Sequence, residues 1–395
     1  MGKYNFDEII ERKNTNSLKY DWAVKRGKPA DVLPLWVADM DFRTPKEVTE
    51  ALCAKAQHGI FGYSEPAEGY FDALTAWFEK YFGWKPDRNK FVLSCGVIFA
   101  ICNLIEILTK EGNGVIINQP VYYPFSEAVR DNKRKLVVSE LKYAEGRYSI
   151  DFEDFEKKIT ENNVKLYILC NPHNPVGRVW TRQELERVSE ICLKHNVFVI
   201  SDEIHADFVY SKYKFTSYAT LGGEALKNAV ICTAPTKTFN LAGLHNSNIY
   251  IEDDGLRAAY IKGRDKRGYS QSNIMGIVAC EAAYRYGEEW LGELLTYLEG
   301  NVAFVREYLK EHIPGISLVE PEGTYLIWLD CSKLGLNDRE LNDLVLNKAK
   351  LWLDAGSIFG KAGNCFERVN IACPRKILEE AFDRLYNALK EAGKV

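Results

Sequence analysis

Apolar segments alternate with helical patterns between about residues 90 and 250, and this alternation constrains the fold most. Helical or turn patterns separate six such segments: KFVLSC, GVIINQP, KLVVSEL, VKLYILCNP, VFVISDE and NAVICTA. Short, nearly continuous apolar strands between helices are typical of a mainly parallel sheet covered on both faces. Ligands of such sheets bind at the carboxyl ends of the strands. We therefore expect an α/β domain whose functional residues lie at that edge of the sheet.

The pattern changes after residue 270, which predicts a second, smaller α+β lobe. Two long amphipathic segments, SNIMGIVACEAAYRYG and EEWLGELLTYLEGNVAFVREYLKEHI, precede further strands and a closing helix. At 395 residues the chain also exceeds the usual size of a single core. We predict an N-terminal segment over 1–48 that packs with the small domain, a large domain over 49–287 and a small domain over 288–395. One helix carries a capping box, in which Thr181 precedes Glu184 by three residues.

Composition narrows the class of function. The 51 basic and 55 acidic residues give a net charge of -4 without a long run of either sign, which argues against a nucleic-acid surface. No apolar run is long enough to span a bilayer, and the N-terminus lacks the apolar core of a signal peptide. The ten cysteines form no CxxC pair and the six histidines show no metal-ligand spacing. We expect free thiols, no metal, no membrane partner and a cytoplasmic location.

Two of the predicted strand ends carry turns that suit ligand binding. In SCGVIFA, Gly96 lies between a strand and a helix, so backbone N–H groups at the helix start can face an anion. Many junctions of this kind are only tight connections. In CNPHNPVGR, two prolines and a glycine surround Asn174, which suits holding one amide side chain in place. A turn stiffened by proline is the alternative interpretation.

Two other strand ends carry ionisable groups. Asp202 and Glu203 follow the apolar run VFVI, where a buried carboxylate needs a cationic partner or hydrogen bonds. A helix N-cap would explain the pair equally well. Lys237 stands alone in the uncharged run TAPTKTFNLAG, where apolar surroundings should lower the pKa of its amine and make it nucleophilic. The alternative is a lysine that reaches out to solvent.

Together the four strand ends supply an anion seat, an amide donor, a carboxylate and an amine. Pyridoxal 5'-phosphate (PLP) needs this set of groups. Its aldehyde reacts with an amine, its ring nitrogen is kept protonated by a carboxylate, and its phosphate suits a helix start. The sequence therefore predicts a PLP site.

Four motifs carry a resemblance to a known family: NPHNPVGR, SDEIHADF, APTKTFNLAGL and LPLWVADMDF. They resemble the fold-type I PLP enzymes of the class I/II aminotransferase superfamily. Within that superfamily the chain is most similar to the MalY/PatB-type cystathionine β-lyases, or cysteine C–S lyases. The resemblance extends from about Asp21 to the closing helix, and it implies an aspartate-aminotransferase-like fold.

The resemblance implies a role for each residue around the ring of the cofactor. Lys237 would bind PLP covalently and, once released by substrate, remove the α-proton. Asp202 would pair with the pyridine nitrogen, and Asn174 would contact the ring oxygen O3′. Tyr122 would stack on the ring and is the second predicted catalytic residue, with Tyr123 the less suitable candidate for that position.

Further roles implied by the resemblance concern the phosphate and the substrate. The backbone amides of Gly96, Val97 and Ile98, with the Thr236 hydroxyl, would hold the phosphate. Tyr63 of the partner subunit would reach the same phosphate, which implies a homodimer with shared active sites. The substrate itself, a small amino acid, would be bound by three further residues: Arg368 on its α-carboxylate, with Asp39 and Met40 at the entrance.

Three departures from the aspartate-type aminotransferases follow the lyase subgroup. His205 stands where those enzymes have a tyrosine, and we place it among the cofactor contacts, although a merely packed polar residue is the alternative. Ala234 and His245 replace a serine and an arginine. The resemblance thus implies α,β-elimination from cystathionine or another cysteine S-conjugate, giving thiol, pyruvate and ammonia. An aminotransferase is the nearest alternative, and a regulatory or binding protein that keeps the PLP fold is a more remote one.

Overall fold

A seven-stranded sheet forms the centre of the large lobe in the computed structural model, which describes residues 2–395. In chain order its strands are β1 (Phe91–Ser94), β2 (Gly114–Gln119), β3 (Lys135–Glu140), β4 (Val164–Cys170), β5 (Phe198–Asp202), β6 (Ala229–Thr233) and β7 (Ser247–Ile251). They lie side by side in the order β1-β7-β6-β5-β4-β2-β3. All six apolar segments singled out in the sequence are strands of this sheet.

The sheet is mainly parallel, as predicted, but its last strand runs the other way. Strands β3, β2, β4, β5 and β6 pair in parallel, whereas β7 pairs antiparallel with both β6 and β1. The connection from β6 to β7 contains only the four-residue helix Pro235–Thr238 and a 3-10 turn, so it lacks the long crossover helix that usually joins parallel neighbours. As a result, β7 begins at the edge where the parallel strands end.

Alternate residues of each strand pack into two separate apolar layers. In β4, Leu166 and Ile168 belong to one layer, while Tyr167 and Leu169 belong to the other. Both layers are covered by helices, which explains why the strands read as continuous apolar runs. The helices of the large lobe are α1 (Lys46–His58), α2 (Glu68–Phe82), α3 (Val97–Leu108), α4 (Pro124–Asp131), α5 (Phe152–Glu161), α6 (Arg182–Lys194), α7 (Asp254–Lys266) and α8 (Ile274–Tyr286). The capping box of Thr181 and Glu184 at the start of α6 is confirmed.

The C-terminal part is a smaller α+β unit, as predicted. Its antiparallel sheet has the order β8-β9-β11-β10, from strands β8 (Ser317–Val319), β9 (Leu326–Asp330), β10 (Asp354–Ala355) and β11 (Phe366–Asn370). Two long helices, α9 (Glu288–His312) and α10 (Arg375–Glu391), accompany it. A shorter helix over Asp338–Asp343 is followed by a π-helical turn over Leu344–Lys348.

The N-terminal segment is tied to the small lobe by a short pairing. Leu33 and Pro34 pair in parallel with Leu351 and Trp352. The helices α8 and α9 meet at Gly287. The domain boundaries at 48 and 287 stay predictions. Within residues 2–395, no helix is long and apolar enough to cross a membrane, and all ten cysteines are free thiols.

Candidate active site

The strand ends of the large sheet enclose a cavity of about 400 Å³. It lies where β4, β5 and β6 end and where β7 and α3 begin. Its lining residues are Ala38, Cys95, Gly96, Val97, Ile98, Phe99, Tyr122, Cys170, Asn174, Asp202, Ile204, His205, Thr236, Lys237, Ala242, His245 and Ser247. The rule that α/β sheets bind ligands at the carboxyl ends of their strands therefore located this cavity from the sequence.

One end of the cavity is suited to an anion. The first hydrogen bond of α3 runs from Ala100 N to Gly96 O, so the N–H groups of Val97, Ile98 and Phe99 have no partner within the helix. These donors, together with the helix dipole, favour negative charge. A Cβ placed on Gly96 would meet no atom within 4 Å, because the space beside this residue belongs to the cavity. Gly96 thus leaves open the space beside these N–H groups, which we call the cradle.

A buried carboxylate lies at the end of β5. Asp202 is almost fully buried, and its Oδ1 accepts a hydrogen bond from Ile204 N at 3.1 Å. Burial raises the pKa of Asp202 to about 7, against smaller lowering effects of the Ile204 hydrogen bond and the Lys237 charge. A cationic N–H donor in the cavity would favour the ionised form. Its neighbour Glu203 points elsewhere and bonds to Ser201, Ser217 and Tyr218 N.

The amine predicted to be nucleophilic lies in the cavity. Lys237 belongs to the short helix that follows β6, and its Nζ donates a hydrogen bond to the backbone oxygen of Ala38 at 2.7 Å. Burial lowers the pKa of Lys237 to about 8, while Asp39 and Asp202 raise it and Arg368 lowers it. At pH 7 about a tenth of the amine is therefore neutral. Lys237 does not extend to solvent, which removes the alternative interpretation.

Asn174 and Arg368 contact each other across the two lobes. Arg368 on β11 donates from Nη1 to Asn174 Oδ1 at 3.0 Å and from Nη2 to Trp36 O at 2.9 Å. Its Nη2 also contacts Asp354 at short range. The Arg368 Nε group is buried and has no partner among residues 2–395. A buried guanidinium with a free N–H group can accept a further anion beside the cavity.

The remaining predicted cofactor contacts also line the cavity. Tyr122 donates from its backbone N to Asn174 O at 3.0 Å, which fixes its ring position beside Asn174. Thr236 comes directly before Lys237. His205 is buried with an unpartnered Nδ1 in the described chain, and burial lowers its pKa to about 3, so the ring is neutral. An uncharged, unpartnered ring nitrogen in the cavity wall can hydrogen-bond a ligand.

Three predicted residues lie away from this cavity in a single chain. Tyr63 is 94% exposed. Asp39 is held by Arg12, at 2.8 Å between Oδ2 and Nη2. Met40 does not line the entrance, because its side chain is buried in the core, and the N-terminal segment contributes Ala38 to the cavity instead.

Several residues that line the cavity were not predicted from the sequence. Ser247 lies at this edge because β7 is antiparallel, and recognising the short β6–β7 connection would have indicated it. Cys95, Phe99 and Ile204 are direct neighbours of predicted residues, and Cys170 begins the motif that contains Asn174. Ala38 takes part through a backbone atom, for which the sequence carries no signal.

The donor set fits PLP. The cavity joins free helix amides and an open cradle at one end to a buried carboxylate, a buried amine and an unpartnered histidine at the other. The phosphate, ring nitrogen and aldehyde of PLP require these groups. Fold and site together define a PLP-dependent enzyme of the aspartate-aminotransferase-like fold.

Comparison with known proteins gives the family. The chain matches the model of "Aminotransferase class I and II" over residues 30–385, and it belongs to this family. It is 41% identical to the cystathionine beta-lyase PatB of Bacillus subtilis, covering 98% of this chain and 100% of PatB. It is 32% identical to protein MalY of Escherichia coli, over 98% and 99% of the two chains. The crystal structure of cystalysin from Treponema denticola, which contains PLP, superposes with a TM-score of 0.95 at 36% identity, covering 98% and 99%.

Proposed function

We propose that this chain is a PLP-dependent C–S lyase that cleaves cystathionine or other cysteine S-conjugates. The observation that carries the proposal is the meeting of the Lys237 amine, the Asp202 carboxylate and the free amides of α3 in one cavity. PatB is named a cystathionine beta-lyase and is similar over its whole length. The enzyme is a lyase of the class I/II aminotransferase fold.

Each end of the cavity has a task in holding the cofactor. The amides of Gly96, Val97 and Ile98 and the Thr236 hydroxyl would hold the phosphate. The ring would be held by three side chains: Asp202 at its nitrogen, Asn174 at its O3′ oxygen and Tyr122 on its face. When bound, PLP supplies an electron-accepting ring that stabilises negative charge at the substrate Cα.

Lys237 would act as base and Arg368 as the carboxylate anchor. With a pKa lowered to about 8, the Lys237 amine can take the α-proton at neutral pH and remain protonated afterwards. The buried guanidinium of Arg368 would bind the substrate α-carboxylate and so orient the Cα–H bond towards Lys237. His205 stays neutral and adds no charge near the base.

The overall reaction balances without an added oxidant or reductant. The Cα–H and Cβ–S bonds break, the electron pair of the Cβ–S bond leaves with sulfur as a thiolate, and that thiolate takes up a proton. Water then hydrolyses the remaining unsaturated amine to pyruvate and ammonia. Cystathionine would give homocysteine as its thiol product.

A dimer would complete the site. Tyr63 is 94% exposed and lies beside exposed Ile60 and Phe61, at 66% and 59%. An apolar run of this kind suits an interface with a second copy, in which Tyr63 of the partner subunit would reach the phosphate. Sedimentation should show a dimer, and Tyr63→Phe should weaken PLP binding without dissociating the dimer. A monomer with full activity would contradict this part of the proposal.

The cytoplasm is the compartment that we propose for this enzyme. Ten free cysteines, six of them buried, suit a reducing compartment.

The lyase proposal is tested by incubating the PLP-loaded chain with cystathionine and measuring pyruvate and free thiol. Both should appear in equal amounts. Lys237→Ala should abolish both products, and borohydride should fix the cofactor to residue 237 of the unmodified chain only. Failure to release thiol from cystathionine and from every other cysteine S-conjugate would refute the proposal.

An aminotransferase is the second candidate, because the matching family includes such enzymes and both reactions begin with removal of the α-proton. The two are separated by adding an amino donor without a keto acid. A transaminase should lose the cofactor's absorption band at the edge of the visible spectrum as the amine form accumulates. A lyase should retain this absorbance.

A further inference from the structure

The segment Trp36–Phe42, which we call the strap, crosses the cavity beside Lys237. Its Ala38 carbonyl accepts the hydrogen bond from Lys237 Nζ at 2.7 Å. On either side of Ala38, the carbonyls of Val37 and Asp39 accept hydrogen bonds from Asn370 Nδ2 at 2.8 and 2.6 Å. The Ala38 carbonyl is thus fixed by its direct neighbours.

Asn240 joins the strap to the turn that carries Lys237. Its Oδ1 accepts from Met40 N at 2.9 Å, and its Nδ2 donates to Met40 O at 2.9 Å and to Phe42 O at 3.0 Å. Asn240 follows Lys237 by three residues and has a left-handed backbone, with φ of 58°. One side chain therefore sets the register between the amine and the strap.

A buried group of charges clamps the strap from the other side. Arg12 bonds to Asp39 at 2.8 Å and to Asp41 at 2.6 Å, and the fully buried Lys19 bonds to Asp41 at 2.8 Å. Two cations and two anions balance one another here. Such a clamp restricts the motion of the strap, because moving it would separate buried charges.

Tyr325 donates to the same oxygen as Lys237. Its buried hydroxyl lies 3.1 Å from Ala38 O, and its ring packs against His205 and Phe208. One carbonyl with two lone pairs is therefore shared between a phenol and an amine. Because the phenol of Tyr325 also donates to this carbonyl, the carbonyl stabilises the ammonium form of Lys237 less strongly.

From these contacts we infer that the Ala38 carbonyl is the resting partner of Lys237 whenever this lysine is not bonded to the cofactor, and that Asn240 and Tyr325 are positioning residues that set its basicity. Asn240 holds the carbonyl in reach, which favours the ammonium form. Tyr325 competes for the carbonyl, which disfavours that form. The inference rests on the proposed function, because it concerns the amine that captures PLP and takes the α-proton.

Other charged groups around the amine are accounted for. Those that influence Lys237 are Asp39, Asp202 and Arg368. The other titratable groups that line the cavity or bond to the shared carbonyl are Tyr122, His205, His245, Tyr325, Cys95 and Cys170. Asp202 and Arg368 are unchanged in the variants below. The direction of any shift therefore reports on the shared carbonyl.

The test measures how fast the full-length chain, freed of cofactor, captures PLP as a function of pH. Only the neutral amine reacts, so the midpoint of the profile follows the pKa of Lys237, and the cofactor's own ionisations cancel in a comparison of variants. Tyr325→Phe should move the midpoint up, and Asn240→Gly, which removes the side-chain amide and tolerates the left-handed backbone, should move it down. Each shift should be about one pH unit, or tenfold in rate on the acid side, the size expected for one hydrogen bond to a charged group.

Matched controls remove equivalent groups elsewhere. Tyr210→Phe deletes a buried hydroxyl that donates to Thr324 O at 2.7 Å, and Asn196→Gly changes another left-handed asparagine, with φ of 53°. Neither should move the midpoint. In the loaded enzyme, the acid limb of α-proton exchange from L-alanine in D₂O should shift in the same directions as capture.

The outcomes separate the inference from the proposed function. If the unmodified chain does not capture PLP at Lys237, the proposed function fails. If it does, but the two variants leave the midpoint where it is or move it in the same direction, the inference alone fails. Because Tyr325→Phe removes a single oxygen atom, it keeps the test decisive even if Asn240→Gly impairs folding.

Discussion

A buried ion pair fixes the loop that carries Asn174, and its removal gives the sharpest test of the structure. Arg178 ends the motif CNPHNPVGR and is 1% exposed. Its Nε donates to Glu322 Oε2 at 2.9 Å, and its Nη2 donates to both carboxylate oxygens of Glu184 at 3.0 Å. Glu322 lies in the turn before β9, so the pair joins the large lobe to the small one.

Replacing Arg178 by methionine keeps a long apolar side chain but leaves Glu322 without its buried cation. Breaking a buried pair in this way typically costs about 3–5 kcal/mol. Glu322 keeps the hydrogen bond from Val179 N at 2.8 Å and the half-exposed Arg147 at 3.1 Å. We therefore expect a loss near the lower end, about 3 kcal/mol in the free energy of unfolding. PLP binding should also weaken, because Asn174 is four residues away.

The assay is urea unfolding followed by tryptophan fluorescence, with Arg182→Met as the control. Arg182 forms an exposed pair with Glu186 on α6 at 2.8 Å, and its loss should cost at most about 0.5 kcal/mol. The double variant Arg178→Met, Glu322→Gln removes the stranded charge and should be more stable than Arg178→Met alone. If Arg178→Met costs no more than Arg182→Met, the reasoning about burial is wrong.

Three other predictions follow from single contacts. Gly96→Val should fold normally but weaken PLP binding at least tenfold in an equilibrium titration, because the valine side chain fills the cradle. As the control, Gly243→Ala should bind PLP normally, since a Cβ at that position also meets no atom within 4 Å. Burial raises the pKa of Glu367 to about 8, so the folded state retains a proton that the unfolded chain releases above its ordinary value of 4.5, and stability falls as pH rises between the two. The free energy of unfolding of Glu367→Gln should therefore increase relative to that of the unmodified chain from pH 5 to 8. The increase should be a few kcal/mol at most, since one pKa unit corresponds to about 1.4 kcal/mol. A difference in urea unfolding that stays constant over this range would contradict the prediction. Thr181→Ala removes the capping box of α6 and should cost about 1 kcal/mol in the same assay, while an unchanged midpoint would show that the cap is dispensable.

The sequence was sufficient for six strands of the large sheet because most of them are buried on both faces. Continuous apolar runs such as VKLYILCNP cannot be satisfied on a surface, and the polar residue that ends each run must then lie at the sheet edge. Asp202, Asn174 and Lys237 were found in this way, from local pattern and one rule of topology. The strand β7 was not among the six predicted segments, and its antiparallel direction was therefore not predicted either.

Contacts that join distant segments were out of reach of the sequence. In the sequence, Arg178 is simply the last residue of a proline-rich turn. In the structure, its side chain is buried in an ion pair with Glu322, which lies 144 positions away. The Ala38 carbonyl meets Lys237 across 199 positions. The family resemblance placed Met40 at the entrance, but its side chain is buried in the core. Side-chain direction in an irregular segment depends on the packing of both lobes.

The electrostatics of the cavity explain why cofactor and fold should depend on each other. Burial raises the pKa of Asp202 to about 7 and lowers that of Lys237 to about 8, so each ionised form is disfavoured in the chain without PLP. PLP brings an acidic phosphate to the free amides of α3, a basic ring nitrogen to Asp202 and an aldehyde to Lys237. One ligand would thus supply an interaction partner both for the Asp202 carboxylate and for the Lys237 amine. Binding should therefore stabilise the fold by more than the ligand's apolar area alone provides, and Asp202→Asn should lose part of that gain, since a neutral amide cannot compensate a cationic ring.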